Sequence, residues 1–125
     1  MIYTDSNEYK AKFYTDPQTG KSPILVYVNN LDEKQKAKIL KYIEFLRINK
    51  GVLYEPYSKH IKGKIRELRI DFGKNRHRIL YFTFIKKTII LLHAFLKHTQ
   101  KTPKAEIKIA ENNYNIVISN PKIYE

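Results

Sequence analysis

The sequence predicts an α+β domain in which helices pack on one face of a small antiparallel sheet. From Ser58 the chain changes to a period of two, most clearly in residues 67–72, where apolar and charged side chains alternate as in a half-buried strand. Residues 31–49 instead carry an apolar stripe at helical spacing. The length of 125 residues suits a single core, so we expect one domain over residues 1–125.

The first thirty residues begin with clear strand and turn signals and end in a segment with conflicting ones. Residues 8–14 are rich in Tyr and Phe and predict a short strand. Residues 16–20 contain Pro and Gly and predict a turn. Ser22 and Pro23 then suit the start of a helix, whereas the β-branched and aromatic residues 24–28 favour a strand. The residues alone leave this segment open between helix and strand.

A core-facing helix is predicted over residues 31–49. Asp32 and Gln35 resemble a capping box at its start, and Gly51 provides a stop after its last turn. The apolar stripe consists of Ala37, Ile39, Leu40, Ile43 and Leu46. We expect this face to pack on the sheet, which is a structural role.

Three strands of an antiparallel meander are predicted next. In residues 67–72 apolar and charged side chains alternate, and residues 73–75 form a turn. The second strand covers residues 76–85, and residues 86–87 connect it tightly to the third strand at 88–98. The first half of the third strand is almost wholly apolar, so we expect it to be central and buried on both faces.

The C-terminal region predicts one more helix followed by an irregular tail. Thr102 and Pro103 suit a helix start, and the helix is expected to run to about Asn113. Residues 115–125 contain a proline and are expected to be irregular, although residues 116–118 could add a short strand.

The charge of the chain is high and unevenly distributed. Lys and Arg number 24 against 12 acidic residues, which gives a formal net charge of +12. Between Lys59 and Lys104 there are thirteen Lys or Arg, and the only acidic residues are Glu67 and Asp71. Such a concentrated basic stretch indicates a nucleic-acid partner rather than a contribution to solubility alone. A membrane surface fits less well, because the stretch is predicted as strands and not as an amphipathic helix.

The sequence also predicts where the protein acts. No apolar run approaches the roughly 20 residues of a membrane-spanning helix. The start, MIYTDSNEYK, lacks the basic and apolar regions of a secretory signal. The chain has no cysteine, which excludes disulfides and thiolate metal sites. We therefore expect a cytoplasmic protein without a membrane partner.

Familiar catalytic signatures are absent from the sequence, including a P-loop, a dinucleotide-binding glycine pattern and HExxH. The four histidines lack metal-ligand spacing, and acidic residues are too scarce in the basic stretch for a two-metal nuclease. We therefore predict no cofactor and no metal. RNA suits a metal-free nuclease, because its 2′-hydroxyl attacks the adjacent phosphate once a base removes the proton. Arg and Lys then stabilise the developing charge, and a proton donor protects the leaving 5′-oxygen.

Strand alternation arranges candidate groups for this chemistry in rows. Arg76 and Arg78 point to one side of the second strand, and Tyr81 points to the other. His93 and Lys97 share a face of the third strand with an aromatic residue between them. Aromatic side chains among cations are also what base stacking requires.

Several candidates have a structural alternative. His93 follows an apolar run, so it is equally compatible with a core histidine. Tyr81 could be a core aromatic residue. Arg69, which lies opposite the apolar face of the first strand, could pair with Glu67 or Asp71.

Three ordered segments resemble RelE/HigB-type toxins, specifically their phage-derived HigB-like subgroup. Residues 61–69, IKGKIRELR, are similar to the segment LKGGLWELR of those toxins. Residues 76–82, RHRILYF, are similar to their strand YRILYF. Residues 91–103, LLHAFLKHTQKTP, closely resemble their signature LLHGFVKKTQKTP. The resemblance covers about residues 8–114, nearly the whole chain, and we expect this stretch to form the ordered core.

The resemblance implies the RelE/ParE-type α+β fold and therefore a helix at residues 22–30. It implies the toxin of a type II toxin–antitoxin system. Such a toxin is a ribosome-dependent mRNA endonuclease, or mRNA interferase, that acts at the decoding site without metal and inhibits translation. It further implies a helix-turn-helix antitoxin of the HigA type, which binds the toxin and with it the operator DNA.

The resemblance also implies functional residues, carried over position by position. The matching positions are Lys62, Arg69, Arg78, Tyr81, His93, Lys97 and Lys101. We expect Arg69 and Arg78 to contact the phosphate in the transition state. His93 or Lys97 is expected to be the general base or a charge stabiliser, and Tyr81 a stacking or proton-transfer group. The residues expected to bind nucleic acid are Lys59, Lys62, Lys64, Arg66, Arg76 and Lys101.

Three positions depart from the toxin pattern. Arg66 replaces the aromatic residue before ELR, Ala94 replaces a Gly, and His98 replaces the second Lys of the signature. Loss of the aromatic residue would weaken a stacking or packing contact. His98 could add a proton carrier, although alternation places it on the opposite face from Lys97. Two other functions stay open: a ParE-like inhibitor of DNA gyrase on the same fold, and a nucleic-acid-binding module without enzymatic activity.

Overall fold

The computed structural model describes residues 8–84 and 87–125. Three predictions fall partly outside the described residues. They are the absence of a secretory signal, at residues 1–7, the end of the second strand, at Ile85, and the first half of the turn, at Lys86. In chain order the elements are β1 (Lys10–Phe13), α1 (Pro23–Asn29), α2 (Glu33–Ile48), β2 (Ser58–Lys62), β3 (Ile65–Phe72), β4 (Asn75–Phe84), β5 (Thr88–Leu96), α3 (Lys104–Ser119) and a 3₁₀ turn (Pro121–Tyr124). Within the described part of the chain, no helix combines the length and apolarity needed to cross a membrane.

The structure confirms the α+β class and adds a strand to the predicted meander. The sheet has the order β1-β5-β4-β3-β2, with β1 parallel to β5 and the other neighbours antiparallel. The meander has four strands instead of three, because β2 pairs with β3. The sequence of β2, SKHIK, is too polar to show apolar alternation. Gly63, with φ of 56°, lets the chain reverse tightly between the two strands.

Helices cover both faces of the sheet, so the expectation that they share one face is wrong. His77 of β4 contacts α1 and α2 through Tyr27 (2.7 Å from Nδ1) and Gln35 (2.6 Å from Nε2). His93 of β5 contacts Glu106 of α3. His93 lies opposite Leu80, three residues along β4 from His77, so the two histidines point to opposite faces. The two-sided layering follows from the apolar character of β5, which is an interior strand as predicted and buries both faces.

Helix capping at Ser22 determines that residues 24–28 form a helix, a choice that the residues alone left open. The Ser22 hydroxyl accepts a hydrogen bond from the Leu25 N–H (3.3 Å), and Pro23 occupies the first turn. The segment is therefore helix α1, as the family resemblance implied, and its β-branched Ile24 and Val28 are buried against the sheet. The predicted cap of α2 is also confirmed, because Asp32 Oδ1 accepts from the Gln35 N–H (2.9 Å).

The expectation of an irregular tail is wrong. Helix α3 continues past Asn113 to Ser119, so residues 116–118 are helical and do not form a strand. The 3₁₀ turn then places Tyr124 in the core, where its hydroxyl accepts from the Thr15 N–H (3.0 Å). Burial of the apolar face of α3 overrides the strand preference of its β-branched residues.

Candidate functional site

A basic cleft lies on the face of the sheet that carries α3, between β2–β3 and the segment that follows β5. Its volume is about 270 Å³. Its lining residues are Lys59, His60, Ile61, Arg69, Lys97, Gln100, Lys101, Thr102 and Ile107. We call this site the basic cleft. It brings together four residues predicted from the sequence: Lys59, Arg69, Lys97 and Lys101.

A buried carboxylate, Glu67, lies beside the basic cleft. Its side chain is fully excluded from solvent. Oε1 accepts a hydrogen bond from Arg69 Nε (3.0 Å), and Oε2 accepts one from the Thr102 hydroxyl. The expected alternative that Arg69 pairs with a neighbouring acid is therefore confirmed, with Glu67 as the partner. Glu67 and Thr102 were not among the predicted site residues, although Glu67 is one of only two acidic residues in the basic stretch.

Lys97 is the least exposed lysine of the basic cleft, at 8% of its full accessible surface. Burial lowers the pKa of its ammonium, and the nearby charges of Arg78, Arg69 and Lys59 lower it further. The carboxylate of Glu67 acts in the opposite direction. Lys97 therefore loses its proton more readily than an ordinary lysine.

Arg78 lies on the same face as the basic cleft but not among its lining residues. It is directly opposite Arg69 in the pairing of β3 with β4. The guanidinium is almost completely buried and donates through Nη1 to Asp71 Oδ1 (2.7 Å) and to the His77 carbonyl (3.0 Å). Its Nε is buried without a hydrogen-bond partner among the described residues. Arg78 thus adds positive charge behind Arg69.

His93 points toward α3. Its Nε2 lies 2.7 Å from Glu106 Oε1, and its ring stacks on Phe95 at a centroid distance of 5.5 Å. His93 does not line the basic cleft. The structure therefore brings His93 and Lys97 onto one face, as alternation predicts, but places only Lys97 in the basic cleft.

Tyr81 belongs to the core and not to the candidate site. Its ring is fully buried, and its hydroxyl bonds to Ser58 Oγ (2.7 Å) and donates to the Gly51 carbonyl (2.9 Å). Burial raises the pKa of the phenol. A ring without exposed surface offers no platform for a base, so the stacking role expected for Tyr81 is wrong and its alternative as a core residue is correct.

The remaining predicted nucleic-acid-binding residues are spread over the surface. Lys64 is an exposed residue of the turn between β2 and β3, and Lys62 pairs with Glu111 of α3 (2.9 Å). Arg76 is exposed on β4. Arg66 lies on the face opposite the basic cleft, where its Nε donates to Ser58 Oγ (3.2 Å). Strand alternation separates Arg66 from Arg69 because the two positions differ by three residues.

We expect Tyr81→Phe to lower the free energy of unfolding by about 1–3 kcal/mol, because it leaves the buried Gly51 carbonyl without its donor. Urea unfolding monitored by circular dichroism measures this change. Tyr54→Phe is the matched control, since Tyr54 is 92% exposed and its hydroxyl faces water. Equal stability of the two variants would contradict the structural role of the Tyr81 hydroxyl.

The chemistry available in the basic cleft is recognition of a polyanion combined with proton transfer. Arg69 contributes a guanidinium, a group suited to binding phosphate, and Lys59 and Lys101 add ammonium groups. Lys97 adds an amine with a lowered pKa. Among residues 8–84 and 87–125, no group of three or more His, Asp or Glu is arranged to hold a metal ion.

Comparisons with known proteins agree with the resemblance noted in the sequence. Residues 26–115 match a family described as phage-derived Gp49-like proteins. The chain is also similar to two curated proteins from two strains of Mycobacterium tuberculosis, each named probable endoribonuclease HigB1. Identity to each is 30% over 105 residues, which covers 84% of this chain and 82% of the relative. The family match includes every residue that lines the basic cleft.

Proposed function

Because the chain belongs to the family of phage-derived Gp49-like proteins, we propose that it is the toxin of a toxin–antitoxin pair and that its basic cleft cleaves RNA. The observation that carries the proposal is the juxtaposition of Arg69 with Lys97, a lysine of lowered pKa, in one cleft. The first group suits a phosphate in its transition state, and the second suits removal of a proton.

The proposed reaction is an internal transfer of the phosphodiester. Neutral Lys97 accepts the proton of the 2′-hydroxyl, and the 2′-oxygen forms a bond to phosphorus. The bond from phosphorus to the 5′-oxygen breaks, and the ammonium of Lys101 donates the proton that this oxygen requires. Arg69 and Lys59 stabilise the extra negative charge on the phosphate oxygens. The products are a 2′,3′-cyclic phosphate and a free 5′-hydroxyl.

Five other predicted residues have supporting roles in this proposal. Arg78 lies opposite Arg69 on the neighbouring strand and contributes to the positive potential behind the phosphate. His93 orients Phe95 through ring stacking and is itself oriented by Glu106. The exposed Lys62, Lys64 and Arg76 bind more distant phosphates of the RNA by charge.

The biological setting is proposed from the family and from the charge. We propose that the substrate is mRNA on the ribosome, whose RNA surface attracts a protein of net charge +12. The inhibitor is proposed to be a helix-turn-helix antitoxin of the HigA type, and the complex of the two proteins to bind operator DNA. The site of action is the cytoplasm. The scarcity of acidic residues in the basic stretch supports a reaction without metal.

Cleavage of a defined mRNA by the purified protein tests the proposal. We expect cleavage of the message on programmed ribosomes in the presence of EDTA, with 2′,3′-cyclic phosphate ends detected by mass spectrometry. Lys97→Met protein is the control for contaminating nucleases. Intact message in both the presence and the absence of ribosomes would contradict the proposal. A supercoiling assay with DNA gyrase runs in parallel. Inhibition of gyrase together with intact RNA would contradict RNA cleavage and favour the function of a gyrase inhibitor.

A further inference from the structure

We infer that Glu67 is a positioning residue of the proposed RNA-cleaving site, which aligns Arg69 of β3 with the segment carrying Lys101 and Thr102. This inference rests on the proposed function. Glu67 receives hydrogen bonds from both sides of the basic cleft: one from Arg69 and one from Thr102, 35 residues further along the chain. Glu67 therefore links two parts of the basic cleft that are far apart in the sequence.

Burial of Glu67 makes this connection rigid. A carboxylate removed from water is tolerated only when its oxygens are paired, and here each oxygen has a bonded donor. The bond from Arg69 uses Nε, so the terminal nitrogens are left to form a bidentate pair with a phosphate. Full burial with both oxygens engaged also prevents Glu67 from reaching a substrate hydroxyl. Its contribution is positioning and not proton transfer.

Glu67 also controls the charge balance around Lys97. The cations facing Lys97 are Arg69, Arg78 and Lys59, and Lys101 and the imidazole of His60 line the same cleft. Glu67 is the group that raises the pKa of Lys97. Replacing the carboxylate by an amide removes this opposing effect, so the pKa of Lys97 falls further. A residue that only stabilises the fold would not shift the pH dependence of the reaction.

The test compares Glu67→Gln with Glu67→Asp in the intact protein, using one RNA substrate. We expect Glu67→Gln to lower kcat about 10- to 100-fold, because misplacement of a catalytic group by about 1 Å has an effect of this size. Its KM should change less than kcat, and the rise of kcat with pH should move to lower pH. Glu67→Asp keeps the charge but is too short to bond both donors, so kcat should fall while the pH profile stays in place. Unchanged kcat and an unchanged pH profile in Glu67→Gln would overturn the inference.

Thr102→Val keeps the inference testable if Glu67→Gln does not fold. This variant retains the carboxylate and its bond to Arg69 but removes the hydroxyl that links the second side of the cleft. We expect a loss of kcat of about tenfold, with a thermal midpoint near that of the unsubstituted protein. A kcat equal to that of the unsubstituted protein would overturn the inference. If the unsubstituted protein cleaves no RNA, the proposed function fails together with the inference. If it cleaves RNA and the variants cleave at the same rate, only the inference is overturned.

Discussion

Lys97→Met is expected to lower the rate of RNA cleavage by about 10²- to 10⁴-fold, the usual range for loss of a general base. Lys97 is the lysine of the basic cleft with a lowered pKa, and its burial is the main cause. Lys97→Arg separates the two roles of the amine, because Arg keeps the positive charge but does not deprotonate in proteins. Single-turnover cleavage on programmed ribosomes measures the chemical step in all three proteins.

The pH dependence provides a second measurement of the same role. A base must be neutral, so kcat should rise with pH and level off above the pKa of Lys97. This pKa lies below the ordinary lysine value of 10.5. Lys104→Met is a matched control, because Lys104 is exposed and outside the basic cleft. Full activity in Lys97→Arg would show that charge alone is required at this position and would remove Lys97 as the base.

Local sequence signals were sufficient for most of the architecture. The cap at Asp32 and the helical stripe defined α2, the period of two defined β3 and β4, and the apolar run defined β5. Errors occurred where tertiary packing decides. Strand β2 is formed by its pairing with β3 and has no apolar pattern of its own, and the tail is ordered because Tyr124 reaches the core at Thr15.

The candidate site was predicted less completely than the fold. Alternation correctly placed Arg78 and Tyr81 on opposite sides of β4, but it could not show which side stays accessible. A bulge in β5 also breaks the alternation. Leu91 lies opposite Tyr81 while His93 lies opposite Leu80, so these two odd-numbered residues face different sides. The role of Glu67 depends on Thr102, which no local pattern connects to it.

The second large effect is expected at Arg69. We predict that Arg69→Met lowers the rate of cleavage by about 10²- to 10³-fold. Removal of one hydrogen-bond donor from an oxyanion hole has an effect of this size in other enzymes. Arg69→Lys should restore little of the rate, because an ammonium cannot form the planar bidentate contact of a guanidinium with a phosphate. The slope of RNA-binding affinity against salt concentration should also become shallower, by the equivalent of about one phosphate contact.

Arg66→Met is the control that makes the Arg69 prediction specific to the basic cleft. Both arginines belong to β3 and both substitutions remove one positive charge, but Arg66 lies on the opposite face, bonded to Ser58. We expect Arg66→Met to keep the rate within about threefold of the unsubstituted protein. Equal losses in the two variants would mean that total charge and not the geometry of the cleft governs activity. That result would favour a nucleic-acid-binding protein without a catalytic centre at Arg69, since only a built site distinguishes two cations three residues apart on one strand.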